Sequence, residues 1–69
     1  MVEVFKTNVQ ESREANMLLD MLGQHFPGTK INFDLDDCDK VLRMEGHNIA
    51  PQHVVTLVCA NGFHCSILE

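Results

Sequence analysis

Residues 3–22, EVFKTNVQESREANMLLDML, constrain the fold more than any other stretch, because they join a strand to a one-sided helix through a short polar loop. Ala15, Leu18, Leu19 and Leu22 follow the i, i+3, i+4, i+7 template, with Met17 and Met21 beside them. One stripe of that helix must be buried. Gly23 weakens the pattern and Pro27-Gly28 ends it. Residues 2–7, which precede it, are rich in β-branched and aromatic types, with Val2 and Val4 on one face and Phe5 and Thr7 on the other. This suits a central strand covered in part on both sides. Asn8, with Glu11 three residues on, fits a capping arrangement, so the helix is expected to begin there or at Ser12.

The remaining chain supplies partners for that unit. Ile31, Phe33 and Leu35 alternate with Asn32 and Asp34 as in a half-buried strand. Asp36, Asp37, Cys38 and Asp39 read as a turn, since Asp bonds its own backbone and tolerates turn conformations. Residues 40–45 return as a second strand, with Leu42 and Met44 on one face and Val41 and Arg43 on the other. Pro51 suits a first helical position, and Val54, Leu57, Val58 and Asn61 mark a helix closed by Gly62 in a left-handed cap. Residues 63–68 form a last strand. The order β-α-β-β-α-β with right-handed crossovers predicts an α+β, ferredoxin-like sandwich, a four-stranded antiparallel sheet with both helices on one face. The expected core is Phe5, Leu18, Leu22, Ile31, Phe33, Leu35, Leu42, Met44, Val54, Leu57, Val58 and Ile67.

Sixty-nine residues make a single domain, 1–69, and a chain of this size buries only about 60% of its unfolded surface. With five basic against ten acidic residues and a net charge of −5, it has no Lys/Arg cluster to follow a phosphate backbone, so nucleic acid is not an expected partner. No apolar run approaches the roughly 20 residues of a membrane span, and MVEVFK lacks the pattern of a signal peptide. The expectation is a cytoplasmic protein without membrane contact. Cys38, Cys59 and Cys65 are odd in number and lack Cys-x-x-Cys spacing, which fits reduced thiols rather than a disulfide framework or zinc ribbon.

Several features together resemble the heavy-metal-associated domain, the small module of copper chaperones and of the N-terminal extensions of metal-pumping ATPases. Leu18 and Leu22 fall at the family's helix-core positions, Phe26-Pro27-Gly28 is similar to its hydrophobe-Pro-Gly turn, and Asn61-Gly62-Phe63 is similar to its entry to the last strand. The resemblance covers nearly the whole chain. In that family the first strand leads through a Met into Cys-x-x-Cys at the helix start. Here Phe5, Thr7 and Val9 occupy the strand and Met places, and Glu11 and Glu14 stand where the cysteines would be. Cu(I) is a soft ion held by two thiolates, and carboxylates do not replace them.

Two residue groups are metal candidates, and no other cofactor is implied. Glu11 and Glu14, at i and i+3, can face a hard divalent ion, but acidic side chains also favour the positive end of a helix without any ion. Cys59, His64 and Cys65 are ligand types within seven residues, yet adjacent strand residues such as His64 and Cys65 point to opposite faces. Cys38 lies among carboxylates that disfavour its thiolate, and His25, His47 and His53 show no paired spacing. No nucleophile–base pair or phosphate-cradling Gly loop is present, so no enzyme is expected.

Strand parity leaves Val2, Val4, Lys6, Val41, Arg43, His64, Ser66 and Leu68 on the sheet face without helices. Val2, Val4, Val41 and Leu68 make that face a candidate protein contact, for a second copy of the chain or another protein, with Val4 near Val41. Three functions fit such a chain: a heavy-metal-associated-like module without the thiolate motif, acting through protein contacts related to metal homeostasis; a module that still binds a metal; and a small-ligand regulatory domain. The last shares the element order, but residues 8–12 contain none of the Gly usual in its binding loop.

Overall fold

Burial alternates along the two central strands as the sequence pattern requires: Phe5 and Thr7, then Leu42 and Met44, are buried, while Lys6, Arg43 and Glu45 between and beside them are exposed. In the computed structural model, which describes residues 1–68, the elements are β1 (Val2–Thr7), α1 (Ser12–His25), β2 (Lys30–Asp34), β3 (Val41–Glu45), α2 (Pro51–Ala60) and β4 (Cys65–Ile67). The sheet runs β2-β3-β1-β4 with every neighbouring pair antiparallel. This is the ferredoxin-like arrangement. Phe5 pairs with Leu42 on one side and Ile67 on the other, which places it at the middle of the core.

The helices cover the Phe5 side. Ala15, Leu18 and Leu22 of α1 and Val54 and Val58 of α2 join Phe5, Leu42 and Met44 in one cluster. Val9, Phe26 and Ile49, all in connections, are also buried there. These three were not in the expected core, because loop residues carry no periodicity. Conversely, Ile31, Phe33, Leu35, Leu57 and Ile67 are only partly buried against the cluster. Ile31 and Phe33 sit on an edge strand, Ile67 on the opposite edge strand, and Leu35 in the turn, where neighbours are fewer.

Asn8 does not cap α1. The helix starts at Ser12 with Glu11 as its N-cap, and Val9, fully buried, holds the preceding segment down on the core. The Asn8 side chain turns the other way, its Oδ1 accepting the His64 N–H at 2.8 Å. It thereby joins the two loops that flank β1 and β4. Gly62 has φ of 92°, the left-handed cap expected after α2.

The end of β1 is fastened to the acidic turn by Thr7, the one buried polar residue among those described. Its hydroxyl donates to the Lys40 carbonyl and accepts the Val9 N–H at 3.2 Å, while its own N–H donates to the Asp39 carbonyl at 3.0 Å. Thr7→Val keeps the shape and removes both hydroxyl bonds, leaving the Val9 N–H buried without a partner. Urea unfolding is expected to show a loss of about 1 to 3 kcal/mol. A loss below about 0.5 kcal/mol would mean that water replaces the hydroxyl.

Candidate functional site

The loop between β1 and α1 ends on Glu11, with Glu14 one turn further along the helix. Glu11 is extended, with φ −108° and ψ 141°, and its backbone N–H donates to Glu14 Oε1 at 3.3 Å. The Glu11 carboxylate is 3.2 Å from the Arg13 guanidinium. Each carboxylate thus has a local partner, one closing the open amide at the helix start and one pairing with a neighbouring cation. Both residues lie on one turn as the i, i+3 spacing requires. Glu14 caps the helix start there, and Glu11 pairs with Arg13.

Cys59, His64 and Cys65 do not form a common donor set. Cys59 is exposed on the last turn of α2, His64 is exposed just before β4, and Cys65 is half-buried on the helix side of the sheet. Among the described residues, the three donors gathered within 4.8 Å are instead Asp37, Cys38 and Asp39, in the turn between β2 and β3. That turn is accounted for by its own bonds. Asp34 Oδ1 accepts the Asp36 N–H at 3.2 Å, Asp37 Oδ1 accepts the Asp39 N–H at 2.9 Å, and Lys40 Nζ donates to the Leu35 carbonyl at 2.8 Å. Asp39 also lies 3.7 Å from Lys6 Nζ.

Burial, and then the neighbouring Cys59, push the Cys65 thiol from its ordinary 9.0 up to about 11. It is a protonated thiol at neutral pH, poorly suited to metal or nucleophilic chemistry. The folded state holds this proton more tightly than the unfolded chain does. Its contribution to stability is complete below pH 9.0 and disappears as pH rises through about 11. Denaturation midpoints are expected to fall across that window, and the fall should be shallower in Cys65→Val. Equal slopes in the two proteins would assign the alkaline loss to other groups.

One cluster had no signal in the sequence. The ring of His53, in the first turn of α2, stacks edge-on with His25 at 5.9 Å and with Phe26 at 5.5 Å between centroids. No fixed spacing links residues 25 and 53. Only the packing of the two helices brings them together.

The open sheet face carries the side chains expected from strand parity. Val4 lies opposite Arg43, and its carbonyl accepts the Leu68 N–H at 2.9 Å. Val41 is two residues along β3 from Arg43, hence diagonal to Val4. Val4, Val41 and Leu68 are half-buried, and Val2 is 46% exposed. Around this apolar strip stand Lys6, Lys30 and Arg43, three of the chain's five cations, with Asp34 and Glu45 as the acidic members.

Compared with protein-family models, with curated proteins and with solved structures, the chain matches none. Fold and site together define a small ferredoxin-like α+β domain whose first helix begins on capping carboxylates. No helix among the described residues is long and apolar enough to cross a membrane.

Proposed function

We propose that this chain is a cytoplasmic heavy-metal-associated-like domain that works by protein contact rather than by carrying a metal, as an accessory of metal homeostasis. The observation that supports it best is the first turn of α1, where Glu14 receives the Glu11 amide and Glu11 pairs with Arg13. Carboxylates in place of two thiolates leave this loop without a pair of soft donors for Cu(I). The contact surface in this reading is the strip of Val2, Val4, Val41 and Leu68 on the open sheet face, ringed by cations. Aliphatic side chains gathered on an uncovered sheet offer a partner apolar area to bury.

Titration with Cu(I) and Zn(II), followed by native mass spectrometry, tests the absence of metal carriage. No stoichiometric complex tighter than about 10 μM, roughly 7 kcal/mol of binding, is the expected result. A tighter complex that survives Glu11→Gln/Glu14→Gln but is lost in Cys59→Ser/Cys65→Ser would overturn the reading and place a metal at the thiols. For the surface, Val4→Lys/Val41→Lys should leave the fold intact and abolish association through the face.

A further inference from the structure

β2 is an edge strand, so its outer side meets no other strand and its backbone N–H and C=O groups there are free to pair. Its five residues, Lys-Ile-Asn-Phe-Asp, are self-complementary when a second copy is laid antiparallel about Asn32. In that register Lys30 stands opposite the second copy's Asp34, and Ile31 opposite its Phe33. Lys30, Asn32 and Asp34 project to the open face, while Ile31 and Phe33 project to the helix side. Each pair therefore meets on one face, ion with ion and apolar with apolar. Sliding by one residue pair in either direction sets a charged residue against Asn32 and breaks both Lys30–Asp34 pairs.

The neighbouring surface fits the same seam. An open cleft of about 430 Å³ runs between α1 and β2, with Ala15, Leu19, Phe33 and Leu35 among its lining. Leu19 is half-buried yet is not among the side chains packed on the core, so its apolar surface faces this cleft. A two-fold axis normal to the sheet sets the two α1 helices on the same side, each bringing Leu19 towards the join. From the reciprocal charges of the strand and the half-buried Leu19 and Phe33 beside it, we infer that β2 pairs with β2 of a second copy, making a homodimer with a continuous eight-stranded sheet. This interface lies at the β2 edge of the sheet rather than on the strip of Val2, Val4, Val41 and Leu68. A five-residue strand pair is smaller than a permanent interface, so the dimer is weak and exchanging.

Sedimentation of the full chain from about 10 μM to 1 mM covers the range expected for such an interface. Wild type should pass from monomer to dimer. Lys30→Asp sets acid against acid at both ends and Asp34→Lys sets base against base, so each alone should weaken the dimer about tenfold or more. An equimolar mixture of the two restores opposite charges at both ends and should dimerise again. Circular dichroism on each variant verifies that these exposed substitutions leave the fold unchanged. Wild type that stays monomeric to 1 mM, single variants that dimerise like wild type, or a mixture that remains monomeric would each overturn the inference. A dimer lost in Val4→Lys/Val41→Lys but unaffected by the charge variants would also overturn it, while leaving the sheet-face reading intact.

Discussion

Leu22→Ala is expected to lower the free energy of unfolding by about 2 to 5 kcal/mol, because the side chain is fully buried and its removal opens a cavity that the surrounding sheet cannot fill. A chain of this length has a total stability of only roughly 3 to 10 kcal/mol. The melting temperature should therefore fall by about 8 °C or more, taking about 4 to 8 °C per kcal/mol for a domain this small. Leu22 lies beneath the last turns of α1, and Phe26, which follows it, donates its N–H to the Leu22 carbonyl at 2.8 Å. Collapse of the cavity would thus also disturb the helix end. Phe33→Ala provides the comparison, since Phe33 lies on the edge strand and is only partly buried. It should cost clearly less, and equal losses would mean that the edge carries as much of the core as the centre.

The same contrast explains which parts of the fold were legible in the sequence. Helical periodicity at Ala15, Leu18 and Leu22 and strand alternation at Leu42 and Met44 are local signals that survive folding, and all five residues are buried. What alternation does not encode is the position of a strand in the sheet. Phe33 and Leu42 follow the same pattern, but the first pairs on one side only and keeps part of its surface in solvent. Buried loop residues are hidden for a related reason: Val9 and Ile49 lie in segments without a period, and only the three-dimensional path turns them inward. Asn8 carried a misleading signal. Its spacing to Glu11 fits a cap, but His64, 56 residues away, supplies the N–H that its side chain accepts.

At the candidate site the residue types were legible and their engagement was not. Glu11 and Glu14 were expected on one turn, and they are, but the bond from the Glu11 amide to Glu14 and the Arg13 contact depend on Glu11 being extended. Sequence spacing does not determine that geometry. That Cys59, His64 and Cys65 do not gather as one set of three donors follows more directly, since they lie on a helix end, in a loop and on a strand. The β2 self-pairing is different again, since its reciprocity is written in five consecutive residues but means nothing until β2 is known to be an edge.

Glu11→Cys/Glu14→Cys is expected to convert the loop into a Cu(I) site with two sulfur ligands, a change from no stoichiometric binding to one tightly bound ion. The extended residue 11 followed directly by the helix places the two substituted side chains one turn apart at the positive end of α1. That position favours thiolate over thiol, which strengthens soft-metal binding at neutral pH. Buried Val9 anchors the approach to the loop, so it need not be reorganised around the ion. Without copper the variant loses the Glu11–Glu14 cap and should be slightly less stable than wild type, and copper should more than restore this by binding only the folded state. X-ray absorption is expected to show sulfur neighbours alone, and Glu11→Ser/Glu14→Ser should show no binding. Absence of sulfur ligation in a folded double-cysteine variant would mean that this loop does not correspond to the metal loop it resembles, and the proposal of a heavy-metal-associated-like domain would fall with it.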